Sequence, residues 1–311
     1  MPDQPKIYLT RQLPPESMAI LQQQSNLSMN AEDRVLEKQE IIHGVADVDG
    51  LLCLLTDTID DDSLAANPYL KVVANFAVGF NNIDVAAATE RGIPVTNTPG
   101  VLTETTADMA WALLMAAARR VAEGDKFVRS KQWQGWGPLQ FLGCDVTGAT
   151  LGLIGLGRIG RAMVRRAKGF DMRILYWNRT RLSEQEELSL GITYAPMNNV
   201  LSHSDFVSIH VALNDQTKHL IGAEQLALMK PTACLINTAR GPIVDERALV
   251  AALQDGTIAN AGLDVLEHEP ELEPELYELP NAVIVPHLGS ATIGTRTKMG
   301  HMAAENCLAA C

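Results

Sequence analysis

The chain has 311 residues, a formal net charge of −12 and five scattered cysteines (Cys53, Cys144, Cys234, Cys307, Cys311) with no CxxC or zinc-type spacing. The acidic balance argues against non-specific partnership with nucleic acid or anionic membranes. No apolar run approaches the ~20 residues of a membrane span, and the thiol pattern suits a reduced, cytoplasmic protein without a metal site. Met1-Pro2-Asp3-Gln4-Pro5 lacks the basic and apolar regions of a secretory leader. The length suits two domains, because a single core stops growing at roughly 250–300 residues.

In chain order, Lys6 to Leu9 reads as a strand, and Pro14-Pro15-Glu16 opens a helix to about Gln24. The continuous apolar run Leu51 to Leu55 suits a strand buried on both faces of a parallel sheet. Val72 to Asn75 and Ile93 to Thr96 suit two more, with a short helix from Asp84 to Arg91, closed by Gly92, between them. After Asn97-Thr98-Pro99-Gly100 comes a helix from about Thr105 to Ala122. It is apolar nearly all round, which places it between domains or at a subunit contact. The irregular stretch Trp133 to Phe141 holds two of the four tryptophans. It reads as interface packing or, more sharply, as a lid or dimer arm that reaches a substrate pocket.

Next comes Thr150-Leu151-Gly152-Leu153-Ile154-Gly155-Leu156-Gly157-Arg158-Ile159-Gly160-Arg161, a strand entering a Gly-x-Gly-x-x-Gly turn, with a helix from Arg161 to Phe170 after it. In a dinucleotide-binding unit Gly155 makes the tight turn, Gly157 lets the backbone approach a pyrophosphate, and Gly160 lets the helix pack closely on the strand. Beyond it, strands at Arg173 to Trp177, Phe206 to Val211, Ala233 to Asn237, Ala259 to Asp264 and Ala282 to Val285 alternate with helices that include Ala223 to Met229 and Asp245 to Gln254. A final helix runs from Thr295 to Ala310. Such alternation implies an α/β fold with parallel sheets covered on both faces.

From Gly155 to Arg181 eight basic residues (Arg158, Arg161, Arg165, Arg166, Lys168, Arg173, Arg179, Arg181) face one acid, Asp171, a local +7 in an acidic protein. Part of it reads as a solvated helix face and part as positive potential for an anionic cofactor, with Arg158 and Arg181 contributing. Eighteen residues after Gly160, where an NAD-specific fold places Asp or Glu on the ribose, stands Asn178-Arg179-Thr180. Asn178 removes the charge that would repel a 2′-phosphate, Arg179 can bind one and Thr180 can donate a hydrogen bond. These residues favour NADP(H), with NAD(H) also usable.

Ligands of open α/β sheets collect at the carboxyl ends of strands, where three ionisable residues stand: Arg240 in Asn237-Thr238-Ala239-Arg240-Gly241, Glu269 after the strand ending at Asp264, and His287 after Val283-Ile284-Val285-Pro286. A guanidinium fork matches a carboxylate, and a histidine can move a proton to a substrate oxygen near neutrality. A nearby carboxylate orients an imidazole and favours its protonated form. Singly, such an arginine is usually a salt-bridge partner and such a glutamate usually faces solvent; together beside a nucleotide fold they suggest a reaction.

Along almost its whole length the sequence resembles the D-2-hydroxyacid dehydrogenases, most closely the glyoxylate/hydroxypyruvate reductases among them. The resemblance rests on Asn75-Phe76-Ala77-Val78-Gly79-Phe80-Asn81-Asn82-Ile83-Asp84, Thr96 to Gly100, the glycine turn, Asn237 to Gly241, Ala261-Gly262-Leu263-Asp264-Val265 and Pro286-His287-Leu288-Gly289-Ser290-Ala291-Thr292. It implies two Rossmann-like or flavodoxin-like domains, with a nucleotide-binding domain (100–284) inserted into a substrate-binding domain (1–99 and 285–311), and pairing into homodimers. The implied reaction is NADPH-dependent reduction of glyoxylate to glycolate and hydroxypyruvate to D-glycerate. In it His287 is the general acid/base, Glu269 its partner and Arg240 the clamp on the substrate carboxylate and keto oxygen. The backbone of Val78 and Gly79 receives the carboxylate, Leu54 or Leu55 lines the pocket, and Trp136 matches a tryptophan that reaches a neighbouring subunit's site. Besides the three glycines and Asn178 to Thr180, the implied cofactor contacts are Thr106, Arg158, Ile159, Val211, Ala212, Thr217, Thr238, Ala239, Asp264, His287 and Gly289. Ala212 stands where the family often has proline, which leaves that turn less certain, and Cys311 falls short of the extension that most relatives carry. Other outcomes that the resemblance leaves open are a family member acting on D-3-phosphoglycerate, D-lactate or phosphite, and a non-catalytic, dinucleotide-sensing corepressor-like protein. The complete triad and the lack of an added tail or basic patch weigh against the last.

Overall fold

The computed structural model describes residues 4–311, so the first three residues of the expected leaderless start lie outside it. The chain begins β1 (Lys6–Leu9), α1 (Pro15–Gln24), β2 (Asn26–Met29), α2 (Lys38–Val45), β3 (Gly50–Cys53), α3 (Asp61–Ala65), β4 (Val72–Asn75), α4 (Val85–Glu90), β5 (Val95–Thr96). It continues α5 (Thr103–Ala118), α6 (Val121–Arg129), β6 (Thr150–Ile154), α7 (Arg158–Lys168), β7 (Arg173–Trp177), α8 (Glu184–Leu190), β8 (Thr193–Tyr194), α9 (Met197–His203), β9 (Phe206–Ile209). The last part is α10 (Ala223–Leu228), β10 (Cys234–Asn237), α11 (Glu246–Gln254), β11 (Asn260–Leu263), β12 (Ala282–Ile284) and α12 (Ile293–Ala310).

Two compact units result, Met1–Leu102 with Ser290–Cys311, and Thr103–Gly289. The first holds a parallel sheet of order β2-β1-β3-β4-β5, the second a parallel sheet of order β12-β11-β10-β9-β6-β7-β8. In the second the chain reverses its direction of travel between β6 and β9, the switch point at which a doubly wound sheet opens a crevice beyond its strand ends. Each sheet is buried on both faces. Leu151 and Leu153 of β6 pack with Met163 and Ala167 of α7 on one side, and Val207, Ile209 and Leu235 pack with Leu249 and Leu253 of α11 on the other. Each buried aliphatic side chain contributes about 1.5–3 kcal/mol of transfer free energy, which holds the strand ends in register.

Most expected elements form, and the departures have local causes. The strand expected over Leu51 to Leu55 stops at Cys53, because the Leu54 N–H is taken by the Asp57 carboxylate at 2.8 Å, which starts a turn. The strand expected to reach Val211 ends at Ile209. The helix expected from Arg161 starts at Arg158, with extended Gly157 as its N-cap. The helix expected from Thr105 to Ala122 ends at Ala118: the Ala118 carbonyl accepts from Cys144 N–H at 3.0 Å, Arg120 turns left-handed (φ 53°), and the separate helix α6 follows. One face of α5 is buried within its own unit. Ala107, Ala110, Leu113 and Leu114 pack among Leu151, Leu153, Met163 and Ile236 of its own unit. The short elements β2, α2, α3, α8 and α9 carry too few apolar residues for a period to show. Among the described residues no helix is long and apolar enough to cross a membrane.

Candidate active site

The glycine turn forms as its spacing predicts. Gly155 has φ +97°, and a Cβ there would lie 2.8 Å from the His210 carbonyl carbon and oxygen. A Cβ at Gly160 would lie 2.5 Å from the Gly155 carbonyl oxygen, so helix and turn touch backbone to backbone. A Cβ at Gly157 would meet nothing within 4 Å, and no side chain caps α7. The start of this three-turn helix therefore presents N–H groups, the helix dipole and free space together, which is what a pyrophosphate requires. Arg158 and Ile159 form its first turn. The chain's own residues fit a dinucleotide further out as well: Thr238 is buried with no hydrogen-bond partner for its hydroxyl. At the switch point Val211 follows His210, whose burial pushes its imidazole down to about 4 and keeps it neutral. The turn at Ala212 is tied without proline, since Thr217 Oγ1 donates to the Ala212 carbonyl at 2.7 Å and accepts from Asn214 N–H at 2.8 Å.

At the end of β7 Asn178 spans two loops: its Oδ1 accepts from Leu156 N–H at 3.4 Å and its Nδ2 donates to the Thr180 carbonyl at 2.9 Å. The basic stretch around it is less positive than its sequence suggests. Arg181 forms two hydrogen bonds, both 2.8 Å, to Glu187, which the Tyr176 hydroxyl also meets at 2.6 Å. The Arg181 and Tyr176 hydrogen bonds together hold the Glu187 carboxyl at about 2 despite burial. Arg161 pairs with Glu186, and Arg165 and Arg166 pair with Glu104, the latter also with Asp108. Arg181 therefore adds no potential for an anion, which corrects that expectation. Of the arginines next to the turn, Arg158 and Arg179 have no carboxylate partner among the described residues.

The three ionisable residues of the strand ends all belong to the second unit. His287 Nδ1 lies 2.9 Å from Glu269 Oε2, and Glu269 Oε1 accepts from Leu266 N–H at 3.1 Å. Burial pushes the Glu269 carboxyl up, but the His287 hydrogen bond and charge, the Leu266 amide and Arg240 outweigh it, so the net shift is downward. His287 sits in a left-handed conformation (φ 52°) that few non-glycine residues adopt. Asp264 imposes it: the Asp264 carbonyl accepts from His287 N–H at 3.0 Å, its Oδ1 from Leu288 N–H at 2.5 Å and its Oδ2 from Gly289 N–H at 2.8 Å. Gly289 is needed for that approach, since a Cβ there would be 2.9 Å from Asp264 Oδ2 and 3.4 Å from the Thr106 methyl. Arg240 lies beside the Ala239 carbonyl (2.8 Å), and burial depresses its affinity for the proton while the charge of Glu269 raises it. Asn237, a residue that sequence reasoning passed over, shapes this loop by accepting from Ala239 N–H at 3.0 Å and donating to the Arg240 carbonyl at 2.9 Å. An Asn followed by a tight turn is the signal that could have found it.

In the first unit asparagines hold the loops after β3 and β4. Asn97 donates to the Val78 carbonyl at 2.8 Å, Asn75 donates to the Gly79 carbonyl at 2.9 Å, and Asn82 donates to the Leu54 carbonyl at 3.1 Å. No hydrogen bond among the described residues engages the Val78 or Gly79 N–H. Leu54 and Leu55 lead into the Asp57 turn that β3 gives way to. Trp136 is 84 % exposed on the loop after α6, with Trp133, Leu139 and Leu142 exposed near it.

A doubly wound sheet with a glycine-turn dinucleotide loop and an imidazole–carboxylate pair at its strand ends defines an NAD(P)-dependent oxidoreductase. Residues 111–289 match the family model of the D-isomer specific 2-hydroxyacid dehydrogenase NAD-binding domain. The chain is 51 % identical over 308 residues to the glyoxylate reductase of Korarchaeum cryptofilum, covering 98 % of this chain and 92 % of that protein. Among solved structures, a Thermus thermophilus protein superposes with a TM-score of 0.91 at 43 % identity, covering 98 % of this chain and 96 % of that one. The NADPH-dependent glyoxylate/hydroxypyruvate reductase of Sinorhizobium meliloti, solved with NADP and malonate, superposes with a TM-score of 0.86 at 34 % identity, covering 98 % of this chain and 92 % of that one. The protein belongs to the D-isomer specific 2-hydroxyacid dehydrogenase family.

Proposed function

We propose that the protein is a cytoplasmic reductase of small 2-keto acids, converting glyoxylate to glycolate and hydroxypyruvate to D-glycerate with NADPH preferred over NADH. The observation that carries the reading is the 2.9 Å contact between His287 Nδ1 and Glu269, on strand ends of the sheet that holds the dinucleotide loop. The relatives named as glyoxylate and NADPH-dependent glyoxylate/hydroxypyruvate reductases support the substrate class. The five free thiols suit a reducing compartment.

His287, oriented through Nδ1 by an ionised Glu269, gives a proton from Nε2 to the substrate's keto oxygen. Arg240, partly buried, holds the substrate carboxylate and keto oxygen through its fork, and the unengaged N–H groups of Val78 and Gly79 suit a carboxylate. The dihydronicotinamide, when bound, supplies hydride to the keto carbon. Arg179 and Thr180, with the neutral Asn178, receive the 2′-phosphate. Thr106, Thr217, Thr238, Ala239, Asp264 and Gly289 line the cofactor's remaining length. Steady-state kinetics on glyoxylate, hydroxypyruvate and pyruvate, each with NADH and NADPH, test the reading. His287→Ala is expected to lose about 10²–10⁴ of the reduction rate. An unchanged rate removes the acid assignment, and equal use of both coenzymes removes the preference.

Trp133, Trp136, Leu139 and Leu142 of the loop after α6, with Val121 and Val128 of α6, are large apolar side chains left exposed within one stretch of the chain. We propose that two copies pair across this stretch. Sedimentation velocity is expected to show a dimer, and a monomer at high concentration overturns the pairing.

A further inference from the structure

The loop that carries Glu269 is held at both ends by one buried carboxylate that the reading above leaves unused. Glu246, in the first turn of α11, is 6 % exposed. Its Oε2 accepts from Glu267 N–H at 2.8 Å and its Oε1 accepts from Glu273 N–H at 2.6 Å, so the clamp closes on both sides of Glu269. Glu267 returns the contact: its Oε2 accepts from Glu246 N–H at 3.1 Å, and its Oε1 meets His219 Nε2 at 2.6 Å. His219 in turn donates its backbone N–H to the Pro242 carbonyl at 2.8 Å. Gly241 completes the junction, because a Cβ there would be 1.8 Å from the Leu266 carbonyl oxygen; the peptide after Arg240 thus lies against the peptide that leads to Glu269. A carboxylate that accepts from two backbone amides, each far from it in sequence, fixes a loop more rigidly than the loop's own exposed residues can.

We infer that Glu246 is a positioning residue for the acid–base pair, setting where Glu269 stands against His287 by clamping the Glu267 and Glu273 amides. The inference rests on the proposed role of His287 as proton donor. The charged groups that face His287 are Glu269 and Asp264, and Arg240 faces Glu269. Around the clamp stand Glu267 with His219, the Arg247–Glu273 pair and Asp245, which caps α11 through Ala248 N–H. Glu269 orients the imidazole only while it stands at hydrogen-bond distance. Releasing the clamp moves Glu269 away on average and leaves the imidazole without its fixed partner.

The test compares the full-length wild type, Glu246→Gln and Glu269→Gln by kcat and KM for glyoxylate reduction with NADPH, with Tm and coenzyme Kd measured on each. Glutamine keeps the shape and one acceptor but turns an NH₂ toward the second amide. Glu269→Gln is expected to lower kcat about 100-fold with coenzyme Kd unchanged. Glu246→Gln should lower kcat about tenfold with KM and coenzyme Kd unchanged, a split that a loss of stability alone does not produce. If Glu246→Gln lowers Tm alone and its kcat below the melting temperature equals that of the wild type, Glu246 only supports the fold and the inference is overturned. If Glu269→Gln itself leaves kcat in place, the reading of the His287 pair fails instead.

Discussion

The two halves of the second sheet build their parts of the site by opposite means. On the β6–β8 side the cofactor loop works through what is missing: no side chain at Gly155, Gly157 or Gly160, no cap on α7, no acid at position 178. On the β10–β12 side polar side chains do the holding, with Asp264, Glu269, Glu246 and Asn237 spending polar atoms on backbone amides and carbonyls around His287 and Arg240. A phosphate chain needs room and N–H groups, and supplies the charge itself. Proton transfer needs one imidazole held in one orientation, which takes several fixed partners.

Substitutions can break this contrast. The largest effect is expected at Gly160, where a methyl group must force the helix off the turn. Gly160→Ala should cost about 1–3 kcal/mol of stability, seen as a lower Tm, and should abolish detectable dinucleotide binding. Gly157→Ala should separate the two properties: its Cβ enters open space and its φ of −76° suits alanine. Its Tm is expected to stay within error while the coenzyme Kd rises about tenfold. If Gly157→Ala binds coenzyme as the wild type does, that space is not where the pyrophosphate lies. Smaller again is the effect at the arginines. Losing one charge-assisted phosphate contact is worth about 1.5–3 kcal/mol. Arg179→Ala should therefore lower the NADPH-to-NADH ratio of kcat/KM by about 10–100-fold, while Arg181→Ala leaves the ratio unchanged. Equal losses in both variants would contradict the distinction between the free and the paired arginine.

The same contrast explains what was legible in the sequence. The glycine turn announces itself because three glycines at fixed spacing stand between a strand and a helix, and the order of strands and helices fixed a parallel fold. Arg240, Glu269 and His287 were visible as ionisable residues directly after apolar strands. What stayed hidden depends on partners distant in sequence. The pairing of Arg181 with Glu187 requires α8 to fold back beneath β7. The grip of Asp264 on Leu288 and Gly289 joins residues from different strand ends, and the clamp of Glu246 joins a helix start to a later loop. Such hydrogen bonds leave no period and no spacing rule. The end of α5 was hidden for the same reason: neither glycine nor proline marks it, and the Ala118 carbonyl is captured by Cys144 from a later turn of the chain.

The anchoring of Arg181 has an evolutionary corollary. Glu187, Tyr176 and Arg181 lock the far end of the loop after β7, and Asn178 ties its near end to the glycine turn through Leu156 N–H, so positions 178 to 180 form a short span fixed at both ends. On the proposed reading, replacing Arg179 and Thr180 changes the coenzyme while β10 to β12 remain untouched, which would make the source of reducing equivalents a separable module, open to retuning by very few mutations.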